Sequence, residues 1–432
     1  MPERMEIGPV YTAPPDKNKT LTKEAFKPEQ RELIFDIDLN DYDDIRTCCV
    51  GANICKRCWS FMNVAIKVLD TVLREDFGFK HIMFVYSGRR GMHCHVADEE
   101  ARLLTDDQRK AVVDYIDALN GEASGGIENV ASSNVQNGHT NINKVLNSLT
   151  VPLHPALSRA YTELEVVFEQ EVIGENGQRL LCEEKHWNKL LDMLPILPDD
   201  AMLDNEPIHL RDYVEQEWSK PHLSPQKRWA FLKNTIQLLI TRSGGAVNGQ
   251  ANKQQPNRNT LNNRDIKLSN NLRRNLEKLI PAIVFAYIYP RLDANVSKMR
   301  NHLLKAPFCI HPKTGRVCVP IPLTMIDEFN PTDVPTLNQL MMQGMTYTKE
   351  HPEDTLNSNY DEDNNNITTL SSTTARVNAG GNKFNLDNNL WEHTSMKPYI
   401  EEFQNFLDGL SDSIRRARRE AAERNAAYTG DW

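Results

Sequence analysis

The stretch ELIFDIDLNDYDDIRTCCVGANICKRCW, residues Glu32 to Trp59, decides how the rest of the chain is read. Residues 32–39 have the period of a strand. Phe35, Ile37 and Leu39 share one face, and Ile34, Asp36 and Asp38 share the other. Side chains two apart on a strand project to the same side, so Asp36 and Asp38 can converge on one point. Carboxylates placed in that way suit hard divalent cations that carry phosphate oxygens. Directly after them come Cys48, Cys49, Cys55 and Cys58 in the pattern C-C-x5-C-x2-C. C-x2-C is the usual half-site of a four-thiolate zinc centre, closed and structural. The adjacent pair Cys48–Cys49 needs a bent backbone to aim both sulfurs inward. The two patterns together point to phosphoryl-transfer chemistry on a metal-stapled scaffold.

Composition sets the outer bounds. The 432 residues suffice for two domains or for one large domain with insertions. No run of about 18 apolar residues suggests a membrane span. The start, MPERMEIGPVYT, has no apolar signal-peptide segment, so a soluble intracellular protein is expected. Four of the eight cysteines fall between positions 48 and 58, which suits metal binding under reducing conditions better than disulfides. Cys94, Cys182, Cys309 and Cys318 are scattered and read as core residues. The formal net charge of −9 argues against a uniformly basic nucleic-acid binder, but charge is segregated. From Arg291 to Arg316 six basic residues stand against the single acid Asp293, a local surplus suited to phosphates.

Along the chain, the residues from Trp59 to Leu73 have helical spacing. HIMFVYS (81–87) and MHCHVA (92–97) read as strands around a GRRG turn, a hairpin over 81–97. A helix is expected over 106–119 with Thr105 as its N-cap. Periodicity then divides the chain as follows. Residues 1–120 form the first part of an α/β core with a zinc motif at 48–58, and 121–155 a loop or linker. Residues 156–242 form a helical subdomain with Trp187, Leu190, Leu191, Trp218, Trp229 and Phe231 in its core. An Asn-rich disordered insertion covers 243–271. Residues 272–345 form the second part of the core, with a helix at 272–289 and an extended, Pro-punctuated segment from Pro290 to Pro322. A disordered linker covers 346–390, and 391–432 form a terminal helix with Tyr399, Phe403, Phe406, Leu407 and Leu410 on one face.

Two further stretches carry candidate chemistry. SGRRGMHCH puts Ser87, Arg89, Arg90 and His93 at one tight turn. Its two glycines let the backbone approach a ligand closely, and arginine offers a two-pronged donor to phosphate. His93 and His95 flank Cys94, and one of them is expected to face the site and the other to face away. Downstream, YPRLDANVSK offers Asp293 as a third carboxylate, though periodicity alone does not select it. A D-x-D strand is shared by glycosyltransferases and phosphatases, and Asp41, Asp43 and Asp44 read as loop or turn-capping residues.

FDIDLNDYDD, the CC…CxxC cluster, YSGRRGMHCHV, YPRLDANVSKMRNHLLKAPFCIHPKTGRVCVPI and TSMKPYIEEFQNFL together closely resemble the eukaryotic DNA primase small (catalytic) subunit family. The likeness covers about residues 5–120 and 270–345 and the tail helix, and the order of the motifs is specific. Family members begin with a further helical segment, and MPERMEIGPVYT resembles a point downstream of it, so the chain reads as N-terminally truncated.

The resemblance implies an α/β (α+β) fold: a primase-type catalytic core with a mixed sheet and an RRM-like half, plus an α-helical subdomain and a small zinc-binding motif. It implies two catalytic Mg2+ or Mn2+ ions on Asp36, Asp38 and Asp293. It implies nucleotide binding by Ser87, Arg89, Arg90, His93, His302, Lys305 and His311, and structural Zn2+ on Cys48, Cys49, Cys55 and Cys58. The implied activity is synthesis of short RNA primers on single-stranded DNA from ribonucleoside triphosphates, in the nucleus. The implied partners are the iron–sulfur large primase subunit and the DNA polymerase alpha complex. Two alternatives stand beside it: another archaeo-eukaryotic primase-polymerase, or an inactive scaffold that only binds the large subunit.

Overall fold

The computed structural model describes the chain apart from residues 1–4, 118–141, 199–201, 204–205, 244–267, 352–375, 378–382, 385–389 and 430–432. It divides into two compact units. The larger comprises Pro9–Ile82 and Arg90–His302; the smaller comprises Met1–Gly8, Met83–Arg89 and Leu303–Trp432. The strand pairs described below are antiparallel. Among the described residues no helix is long and apolar enough to cross a membrane.

The larger unit is built on the carboxylate strand, Leu33–Asp38, which pairs with Gly91–Val96 in the register Asp36↔His93 and Asp38↔Gly91. Leu33, Phe35 and Ile37 are buried while Asp36 and Asp38 are half-exposed, so the alternation read from the sequence sets the two faces. The helix Lys56–Glu75 follows the cysteine loop, with Met62, Ala65, Ile66, Leu69, Val72 and Leu73 all buried. The helix Asp106–Ile116 begins at Thr105 in a capping box with Gln108, each side chain bonding the other's backbone N–H.

Beyond it the unit is helical. Ile142–Ser148, inside the stretch read as a linker, is a helix, and it packs with Pro155–Val167 and Pro225–Ser243 against Asn270–Ile288. Most of the expected 243–271 insertion lies outside the described residues; Ser243 ends one helix and Asn270 begins the next. Trp187, Leu190, Leu191, Trp218 and Trp229 are core residues as expected. Phe231 is only half-buried, because it lies on the outer side of its helix and stacks on Tyr213 at 5.6 Å. Arg228 lies over the Trp187 ring at 4.2 Å and donates to the Trp218 and Leu181 carbonyls at 2.9 and 2.7 Å. Trp218 Nε1 returns a bond to the Arg228 carbonyl at 2.9 Å.

In the smaller unit Phe84 and Val85 pair with Ile321 and Pro320, and Glu6–Ile7 pairs with Leu304–Lys305. Met83, Val85, Ala306, Cys309 and Cys318 form its core, with Phe403 and Phe406 of the long terminal helix Lys397–Thr429 packed on it. Tyr399 and Leu410 share that half-buried stripe, but Leu407 does not. It is 41 % exposed, since it falls one residue past Phe406 and so about 100° round the helix. Of the 346–390 linker, the described part begins with the end of the helix Leu337–Glu350. Cys94, Cys309 and Cys318 are core residues, whereas Cys182 is only half-buried.

Replacing Arg228 by Met is expected to strand the Trp218 and Leu181 carbonyls in the helical core. The predicted cost is about 3 kcal/mol, read as a lowered urea midpoint with an unchanged slope.

Candidate active site

Asp36 and Asp38 stand on one side of the carboxylate strand, and each has a neighbour of opposite or protonatable character. The Asp38 carboxylate accepts from Arg90 Nε at 2.6 Å and from the Asn40 N–H at 2.8 Å. Asp36 faces His93 Nε2 at 3.7 Å, directly across the strand pair. Asp293, which periodicity could not select, lies beside them. Its backbone N–H donates to the Asp36 carbonyl at 2.9 Å. It is the N-cap of the short helix Ala294–Lys298, accepting the Asn295 N–H on its side chain at 3.1 Å.

The approach of that segment is fixed by its neighbour Arg291. The Arg291 N–H donates to the Tyr42 hydroxyl at 2.9 Å. Its guanidinium lies over the Tyr42 ring at 4.9 Å and donates to the Asp44 carboxylate at 2.7 Å and to the Asp41 carbonyl. Asp44 is thus an ion-pair partner, and Asp43 pairs with Arg46. Burial, with the negative charges of Asp38 and Asp293, pushes the Asp41 carboxyl up to about 6 against the pull of Arg291 and Arg90. Removal from water is the main cause of that rise, and the two neighbouring acids add to it. The three candidate acids suit divalent cations by donor type. Among the described residues, however, the group of donors lying within 4.8 Å of one another is the cysteine set. The carboxylates repel, and each is satisfied separately.

Several expectations change. His93 and His95 lie on one side of their strand, rings 6.2 Å apart, not on opposite sides. Residues two apart on a strand share a face, and it is Cys94 that points away into the core. His95 Nδ1 is bonded to Glu32 Oε2 at 2.8 Å. The glycines of the arginine turn are required by protein packing. A Cβ on Gly91 would meet the Ile37 carbonyl at 2.4 Å, and one on Gly88 would meet His311 Cβ at 2.7 Å from a backbone at φ +84°. Half of the basic segment meets acids within the fold: Arg291 pairs with Asp44, Lys298 with Asp114 and Arg300 with Asp106.

Within the smaller unit Ser87, Lys305 and His311 are brought together. Lys305 Nζ donates to the Ser87 carbonyl at 3.2 Å, and Thr314, three residues past His311, donates to the Gly88 carbonyl at 2.6 Å. The Arg89 carbonyl accepts from the Tyr86 hydroxyl at 2.9 Å. His302, in the larger unit, is half-buried, and its Nδ1 has no hydrogen-bond partner.

The four cysteines meet as their spacing implies, all sulfurs within 4.8 Å of one another. The backbone bends at Thr47–Cys48, which turns both adjacent thiols inward. Cys55 is the N-cap of the helix Lys56–Glu75, and its N–H donates to Cys58 Sγ at 3.2 Å. Arg46 donates to the same sulfur at 3.8 Å, and Gln178 donates to Cys48 Sγ at 3.5 Å. A hydrogen bond from Cys48, aided by the Cys55 N–H and Arg46, lowers the Cys58 thiol to about 5. Thiols already surrounded by donors to sulfur fit a bound cation. Sequence reasoning passed over Gln178, Arg46 and Glu32; no local spacing ties any of them to its partner.

A family profile described as DNA primase small subunit matches residues 35–323. The DNA primase small subunit of Schizosaccharomyces pombe is 34% identical over 410 residues, which are 95% of this chain and 75% of the relative. Those of Drosophila melanogaster and Saccharomyces cerevisiae are 36% and 35% identical over 79% of this chain, covering 66% and 69% of their own lengths. The chain belongs to the DNA primase small subunit family. These are the catalytic subunits that make RNA primers, and the α+β architecture described above agrees with that core. The matched span contains Asp36, Asp38, Asp293, the four cysteines and the arginine turn.

Burial alone would raise the Glu32 carboxyl, but the hydrogen bond and charge of His95 outweigh it and hold the carboxyl below its usual 4.5. A lowered folded-state pKa adds stability that is fully present above the unfolded value and is lost as pH falls through the folded one. Glu32→Gln should therefore be less stable than the wild type at pH ~7 and approach it below pH ~4, read from urea midpoints at the two pH values.

Proposed function

We propose that the chain makes RNA primers on single-stranded DNA by nucleotidyl transfer from ribonucleoside triphosphates, with Asp36, Asp38 and Asp293 as the ligands of two Mg2+ or Mn2+ ions. The observation that carries this reading is the bond from the Asp293 N–H to the Asp36 carbonyl, which brings a third acid onto the D-x-D strand. When bound, two such ions neutralise phosphate charge and acidify the attacking hydroxyl.

The chain's own residues bind and orient. The three carboxylates hold the ions. Ser87, Arg89, Arg90, His93, His302, Lys305 and His311 hold the nucleotide's phosphates. Arg90, paired with Asp38 here, would offer its two-pronged guanidinium to phosphate oxygens if a cation were held by that carboxylate. The primer 3′ oxygen bonds to the α-phosphorus as the bond to the bridging oxygen of pyrophosphate breaks. Catalysis is positioning plus preorganised charge. Cys48, Cys49, Cys55 and Cys58 hold a structural Zn2+ with no open coordination position. The large primase subunit and the DNA polymerase alpha complex are the proposed protein partners, and the nucleus is the proposed place of action.

Asp36→Asn and Asp38→Asn should each lower ribonucleotide incorporation on single-stranded DNA by on the order of a thousandfold. Retained metal-dependent incorporation would refute the assignment, and a preference for deoxynucleotides would favour a primase-polymerase of the wider superfamily. An intact association with a large subunit without primer synthesis in the unaltered chain would leave a scaffold. For the cysteines, metal analysis should find about one zinc per chain, lost in Cys55→Ser/Cys58→Ser.

A further inference from the structure

Gln178 is 1 % exposed, and its buried amide makes all its described bonds to the cysteine loop and its edges. Oε1 accepts the Thr47 N–H at 2.8 Å. Nε2 donates to the Arg57 carbonyl at 3.0 Å and to Cys48 Sγ at 3.5 Å. The Gln178 backbone carbonyl accepts the Thr47 hydroxyl, and its N–H returns to the Glu171 carbonyl at 2.7 Å. One residue therefore touches both sides of the cysteine loop: Thr47 and Cys48 as it begins, and Arg57 where the following helix begins. It is itself tied to the π-helical turn Phe168–Ile173 through Glu171.

We propose that Gln178 is the positioning residue of the metal centre: an amide N–H donor to the Cys48 thiolate that couples the bound ion to the turn after Phe168–Ile173. The inference rests on the reading of the four cysteines as zinc ligands. Four thiolates around a divalent cation carry excess negative charge, and an N–H pointed at sulfur offsets part of it. A glutamate at this position has the same shape but sets a carboxylate oxygen against the thiolate. A methionine fills the same space and donates nothing. Linkage is reciprocal, so if Gln178 holds Cys48 for the ion, the ion holds Gln178 and its turn.

The test uses the full chain. Zinc affinity is measured by competition with a colorimetric chelator, and the centre is reloaded with Co2+ to read the thiolate-to-cobalt charge-transfer band. Circular dichroism checks that each variant is folded. Q178E and Q178M should weaken zinc binding by on the order of 10–100-fold and shift the cobalt band. In the wild type, zinc should slow amide hydrogen exchange over residues 171–181, and this protection should vanish in Q178M. A zinc-binding wild type matched by both variants in affinity and cobalt spectrum would sink the inference and leave the cysteine reading intact. A wild type that holds no zinc would sink both.

Discussion

Everything at the candidate active site depends on one backbone hydrogen bond, from the Asp293 N–H to the Asp36 carbonyl. Three acids in one place repel one another, so they cannot be the groups that gather themselves. The chain solves this by tying the two segments with other atoms. The Asp293 amide, the Arg291 amide on Tyr42 and the Arg291 guanidinium on Asp44 make the closure. None of these ties uses a carboxylate of Asp36, Asp38 or Asp293.

The same logic redistributes the basic segment. Read in one dimension, Arg291 to Arg316 is a cationic run. In the fold, Arg291, Lys298 and Arg300 each meet an acid from elsewhere in the larger unit. Charge that looks like a phosphate surface thus holds the site's framework together. Lys305, which reaches the Ser87 carbonyl rather than an acid, keeps its charge for another use.

Periodicity made the faces of the structure legible. The alternation of residues 33–38, the buried stripe of the helix Lys56–Glu75 and the Thr105 cap all follow from rules within a few residues. The cysteine cluster was legible for the same reason, since its four thiols lie close in sequence and meet in the fold. What stayed hidden was partnership across long separations. Gln178 on Cys48, Glu32 on His95 and Arg291 on Asp44 join segments whose local patterns say nothing of one another. The glycines of the arginine turn show the same limit: their need was visible, but whether a ligand or the Ile37 carbonyl filled the space was not. Asp293 came from likeness of an ordered set of motifs, because one acid among many has no periodic mark.

The tie between Asp36 and Asp293 also has a bearing on biosynthesis. Asp36 and Asp38 leave the ribosome on a strand whose pairing partner follows soon after. Asp293 emerges 255 positions after Asp38. A nascent chain thus holds an incomplete acid set until that later segment docks on the Asp36 carbonyl.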